Sequence, residues 1–117
     1  MENTEKELPV EKWLNKKLPN EYRSFALKNP KGIFFYGGLL FGQEYIIEKN
    51  KNHQVKEYLP GYLAIGDDKH RRPILVRIED GFIFIIENIA ILDSIHHLSF
   101  SFDSWLGSGC PLDRYIR

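Results

Sequence analysis

Metal-ligating side chains fall in two groups in this chain: His53, Asp67, Asp68 and His70 in one stretch, His96 and His97 in another. Adjacent histidines chelate poorly, since in a strand they point to opposite faces and in a helix they diverge by about 100°. Asp67-Asp68 lacks the glycine and distal glutamate of a calcium loop, so solvated turn residues explain these side chains better than a metal does. A nucleophile is the second chemistry to weigh. Cys110 stands in Gly107-Ser108-Gly109-Cys110-Pro111, but thiolate chemistry needs a partner that lowers the thiol pKa. Pro111 denies Ser108 the following helix of a nucleophile elbow, and a loosely packed tail is expected instead. Gly37-Gly38 and Gly42 match no phosphate-cradling pattern. Without paired carboxylates, an oxyanion device or a cofactor motif, the residues read as a non-enzyme with no cofactor.

Binding is the remaining chemistry. Lys69-His70-Arg71-Arg72 could touch a phosphate backbone, yet it adjoins Asp67-Asp68 in a chain whose 16 basic and 16 acidic residues cancel. A neutral chain lacks the field that gathers nucleic acid or anionic membrane, so neither is an expected partner. A charged hairpin tip fits better, or part of a protein interface, where arginine is enriched. Phe41, Phe82 and Phe84 read as core at alternate strand positions. Tyr36, Tyr45, Tyr58 and Tyr62 divide between core and surface, because a buried hydroxyl needs a partner and an exposed tyrosine is a favoured interface anchor.

The elements that must position these groups follow from periodicity. Val10, Trp13 and Leu14 fall at i, i+3, i+4, predicting a short helix over 10–17 behind a frayed lead-in. Pro19 suits the first turn of a second helix whose Tyr22, Phe25 and Ala26 repeat that spacing. Asn29-Pro30-Lys31-Gly32 ends it. Ile33 to Tyr36 and Leu39 to Phe41 read as a hairpin or as two strands around a bend at Gly37-Gly38. Tyr45-Ile46-Ile47 could extend the sheet, but the length of 43–50 and Glu44/Glu48 at i, i+4 favour a short helix, followed by a polar loop over Lys49 to Gln54. Tyr58 to Ile65 reads as extended, with a turn at Gly66-Asp67-Asp68. Pro73 to Ile78 pairs with Gly81 to Glu87 across Glu79-Asp80-Gly81, an Asp-Gly turn that closes tight hairpins. Residues 93–97 are left open, and Asp103 is placed as the cap of a final short helix through Trp105 and Leu106.

Hairpin links without a βαβ rhythm indicate an α+β fold: a central twisted antiparallel sheet flanked by N-terminal helices and a short C-terminal helix. The 117 residues suffice for one domain and one core, placed at about 10–107 with tails at 1–9 and 108–117. One cysteine permits no intrachain disulfide, which suits a reducing compartment. With a polar N-terminus and no apolar run near the ~20 residues of a membrane span, a cytoplasmic protein is expected.

Four pieces in order are similar to the SUKH superfamily. Leu18, Pro19, Tyr22 and Phe25 match its Leu-Pro-x-x-Tyr-x-x-Phe helix. Leu59, Pro60, Tyr62, Ile65, Gly66, Asp67 and Asp68 match its Leu-Pro-x-Tyr-x-x-Ile-Gly-Asp-Asp signature, Gly81 opens a hairpin strand, and Phe102, Trp105 and Leu106 match its closing segment. The chain departs from the family where Asn29-Pro30-Lys31-Gly32 replaces an Asn-Gly-Gly type of turn, and where Lys69 to Pro73 replaces a glycine-rich one. The second departure puts bulk and positive charge on a normally slim turn, and suggests a surface specialised for this chain's own partner.

The resemblance implies a non-enzymatic immunity protein that neutralises a cognate bacterial toxin, often a nuclease, by stoichiometric binding; edge strands and exposed tyrosines allow either a monomer or a homodimer. Asp67, Asp68, Glu79, Asp80 and Glu87 could then mimic phosphates in a basic groove, with Tyr36, Tyr45 and Tyr62 as anchors. Arg71 and Arg72 serve equally if the toxin face is acidic. An intracellular regulatory scaffold, or a small-molecule or RNA-binding module, is the alternative.

Overall fold

The computed structural model describes residues 6–112. Pro9 opens a one-and-a-half-turn helix, α1 (Pro9–Leu14), and Pro19 takes the N-cap of α2 (Asn20–Lys28). A carboxylate joins the two. Glu11, 2% exposed, accepts from the backbone N–H of Leu8 at 2.9 Å and of Leu18 at 2.8 Å, and from Arg23 Nε at 2.6 Å. Arg23 donates onward to the Lys6 carbonyl. Burial works to raise the pKa of Glu11, but these hydrogen bonds and the guanidinium charge outweigh it and hold the carboxyl below its ordinary value.

Six strands follow as an antiparallel meander in the order β1-β2-β3-β4-β5-β6. The first hairpin, β1 (Gly32–Phe35) and β2 (Gly38–Phe41), closes through Tyr36-Gly37, with Phe35 opposite Gly38. Residues 49–54, expected as a polar loop, are instead the body of α3 (Ile46–His53), which runs into a single turn, α4 (Val55–Tyr58), so that Tyr58 is helical and not extended. The reason is long-range. Strand β2 stops at Phe41, leaving Ala64 without a strand on that side, and Asn50 takes the vacant place. Its Oδ1 accepts from Ala64 N at 2.8 Å, and its Nδ2 donates to the Ala64 and Ile46 carbonyls, both at 2.8 Å.

Gly66, Asp67 and Asp68 do not turn; they complete β3 (Tyr62–Asp68), which bulges between Ala64 and Gly66. Gly66 permits this because β2 lies so close that a Cβ there would stand 2.3 Å from the Leu39 carbonyl oxygen. The turn falls at Lys69–Arg72. Strand β4 (Pro73–Arg77) pairs with β5 (Ile83–Ile86), but the loop is longer than a tight Asp-Gly turn, with Gly81 N bonded to Arg77 O and Arg77 N to Phe82 O. A 3-10 turn at Leu92–Ser94 leads into β6 (Ile95–Ser99).

The last helix, α5 (Phe102–Gly107), is capped by Ser101, whose hydroxyl accepts from Ser104 N, and not by Asp103. Its Phe102 ring meets Tyr22 and Phe25 of α2 at 5.6 and 5.2 Å between centroids. Burial extends past residues 10–107, to Leu8 and Cys110; Trp105 Nε1 holds the Pro111 carbonyl at 2.8 Å. The outcome is an α+β domain around a six-stranded antiparallel sheet.

Asn50→Leu removes both partners of Ala64 while keeping the side-chain volume. Leaving a buried donor and acceptor unpaired costs about 1–3 kcal/mol each, so the variant is expected to lose about 2–6 kcal/mol in urea unfolding, with Asn50→Asp intermediate.

Candidate functional site

The meander decides which candidate residues meet. With every neighbour antiparallel, the β1–β2 turn, the β3–β4 turn and the β5–β6 connection share one end of the sheet, and the β4–β5 loop lies at the other. Tyr36, Asp67, Asp68, Arg71, Arg72 and Glu87 therefore gather at the first end. Glu79 and Asp80 sit at the second, with Tyr62 and its cross-strand partner Arg77. Strand β4 separates the two groups by roughly 16 Å at the rise of an extended chain. Tyr45, the N-cap of α3, stands apart from the first end because β2 has already run away from it.

At the first end Asp68 is 5% exposed. Its Oδ1 accepts from His70 N at 3.0 Å and Arg72 N at 2.8 Å, and its Oδ2 from Arg72 Nε at 2.7 Å. Arg72 Nη1 reaches on to Glu87 Oε2 at 2.6 Å, clamping the β3–β4 turn to the end of β5. Burial tends to raise the Asp68 pKa, but the bonds from Arg72 and the His70 amide hold it below its ordinary value. Asp67, half-buried, moves the other way: burial raises it against the pull of Lys49, His53 and Arg71.

The β1–β2 and β3–β4 turns face outward with cationic and aromatic side chains, while the acids Glu87 and Asp93 are exposed on the β5–β6 side of this end. Lys69 N donates to the Gly37 carbonyl at 2.9 Å, tying the two turns together. Its ammonium stands 4.4 Å from the centre of the Tyr36 ring, a cation–π distance. Tyr36 is 92% exposed, and Phe34, two residues back on β1, is 83% exposed. Arg71 is exposed with φ 66, in the left-handed region. A depression of about 290 Å³ lies between Tyr36, Arg72 and Cys110–Leu112.

The second end is organised by its own ion pair. Arg77 Nη2 lies 2.8 Å from Asp80 Oδ2, and Asp80 Oδ1 accepts from Phe82 N at 3.1 Å. The Arg77 guanidinium covers the Phe82 and Phe84 rings at 5.1 and 4.9 Å, and Tyr62 meets Phe84 edge-on at 5.6 Å. Glu79 is exposed. Asp68, Glu87 and Asp80 thus spend their charge on arginines of the same chain, while Lys69, His70 and Arg71 project from it.

Cys110 is buried, and burial alone pushes its thiol up to about 11, far from a thiolate at neutral pH. His97 packs against Phe82, Phe84 and Phe100, while His96 is exposed. Phe34 was not among the sequence candidates. The run Ile33-Phe34-Phe35 is apolar throughout, and no signal within it tells which ring the fold covers; Phe35 meets Trp105 at 6.1 Å and Phe34 does not.

A model of the SMI1 / KNR4 family (SUKH-1) matches residues 4–108 of the chain, from the lead-in of α1 through α5. The chain belongs to this family. No curated protein matches it. In this SUKH-1 chain the Gly66-Asp67-Asp68 signature acquires a physical role: Gly66 admits β2, and Asp68 closes the following turn.

Because the Asp68 pKa is depressed in the folded chain, its contribution to stability is present above the ordinary value of 3.8 and fades as pH falls through the folded value. Asp68→Asn is expected to cost about 2 kcal/mol at neutral pH and to flatten the loss of stability as the pH falls below the ordinary value of 3.8. Asp80→Asn, at a solvent-exposed pair, should cost less than about 1 kcal/mol. Chemical denaturation across that pH range separates the two.

Proposed function

We propose that this SUKH-1 chain is an immunity protein: it binds a protein toxin and neutralises it by stoichiometric contact in the cytoplasm, with no chemistry of its own. Family membership supports the class. The observation that carries the reading is the adjacent pair Phe34 and Tyr36, two aromatic rings 83% and 92% exposed beside a lysine at a sheet end. Large exposed aromatics ringed by charge are the usual anchors of protein interfaces. The cationic run Lys69–Arg71 favours an acidic face on the toxin over the basic substrate groove of a nuclease, because Asp68, Glu87 and Asp80 are engaged within the chain. A nuclease would then be held beside its groove and not through phosphate mimicry. Among the described residues no helix is long and apolar enough to cross a membrane.

The test is capture of the C-terminal domain encoded by the adjacent upstream gene, with growth rescue on co-expression. Nanomolar capture with rescue is expected. Tyr36→Ala should weaken binding about tenfold or more, whereas Asp80→Ala, at the far end, should leave affinity within about threefold of the starting protein. Neither capture nor rescue would overturn the reading.

A further inference from the structure

Resting on the reading above, we infer that β1 is a strand-addition site, taking an extended acidic segment of the partner toxin as a seventh strand of the sheet. The two-residue turn at Tyr36-Gly37 makes Phe35 and Gly38 the closing hydrogen-bonded pair. In an antiparallel ladder the next residue alternates outward, so Phe34 turns its N–H and C=O away from β2, towards the open edge. The ring of Phe34 stands on the face that its cross-strand partner Leu39 shares. An incoming strand therefore gains both backbone bonds and an aromatic wall.

The two sheet edges differ in how open they are. Strand β6, at the opposite edge, is irregular where its pairing slips between Ile83 and Phe84, and such bulges blunt an edge. Strand β1 pairs with β2 in unbroken register. It carries no charged side chain of its own to repel a newcomer.

Charge selects the occupant. From Tyr22 to Gln43 the chain has three basic and no acidic residues. Lys31 is exposed just before β1, and Lys69 and Arg71 are exposed beyond its other end. A strand with acidic residues at both ends and apolar ones between complements that layout, giving main-chain affinity with electrostatic selection. A second copy of this chain does not. Pairing β1 with itself antiparallel about Phe34 brings Lys31 of one copy to the Tyr36–Lys69 end of the other, and like charges meet.

The experiment uses the full ¹⁵N-labelled chain with the upstream toxin domain and follows amide hydrogen exchange. The Phe34 amide is expected to exchange freely in the isolated chain and at least about a hundredfold more slowly in the complex, since exchange reports opening of the bond that protects it. Phe34→Pro, tolerable on an edge strand, removes that donor. It should lose at least about a hundredfold in affinity, against about tenfold for Phe34→Ala, which keeps the donor; circular dichroism checks that both variants fold. An unprotected Phe34 amide in a formed complex, or Phe34→Pro binding as well as Phe34→Ala, would overturn strand addition and leave the immunity reading standing. Protection that grows with the concentration of the isolated chain would assign the edge to a second copy and overturn the acidic-strand assignment. Absence of any complex with the unsubstituted chain removes the immunity reading, and this inference with it.

Discussion

A buried strand must have every backbone polar group paired, and in this protein β3 meets that condition only through the side chain of Asn50. Strand β2 reaches Gly66–Asp68 and no further. Beyond it, one carboxamide does the work of a strand, donating and accepting at Ala64 as a backbone neighbour would. The same bonds fix α3 against the sheet and let β3 run on to Tyr62, in register with β4. The position of Asp68, and so of the β3–β4 turn, follows from that register.

The charged residues obey a related economy. Those within the fold are neutralised locally: Glu11 by Arg23, Asp68 and Glu87 by Arg72, Asp80 by Arg77. Each pair closes a joint between elements, from the α1–α2 corner to the two ends of the sheet. A chain with no net charge can therefore still present a locally cationic surface, because Asp68 and Glu87 at that end are both paired with Arg72 while Lys69 and Arg71 stand exposed. Net charge describes the chain as a whole; the face a partner meets depends on which charges the fold has already used.

Local signals were legible in the sequence. The i, i+3, i+4 spacing of Tyr22, Phe25 and Ala26 identified α2 and its buried face, and the glycines at 37–38 marked the first hairpin. Features decided at a distance were not. Residues 49–54 look like a polar loop because their most important contact, Asn50 to Ala64, spans 14 positions. Gly66-Asp67-Asp68 has the composition of a turn, yet it is extended because β2 approaches too closely for any side chain at 66. Asp103 is a good cap by type; Ser101 is the residue whose backbone leaves the strand at the right place. The candidate side chains were of the right kinds for an interface, but composition could not show that a meander puts Asp80 and Asp68 at opposite ends, or that Phe34 rather than Phe35 is left uncovered.

The helical layer is closed by a bond of very different span. Glu21 Oε1, near the start of α2, accepts from the Ser101 hydroxyl and from Asp103 N, both at 3.0 Å and across sequence separations of 80 and 82. Every pairing in the sheet joins strands consecutive in the chain; apart from β2–β3, which closes across α3 and α4, the connections are short, their loop-closure entropy is small, and such local contacts form quickly. On a ribosome, each strand of this protein can pair with the one before it as it emerges. The layer of α2 and α5 has no such order of assembly: α2 is made early, and the Tyr22 and Phe25 rings wait for Phe102. That face of the core cannot close until Ser101 to Asp103 have been made.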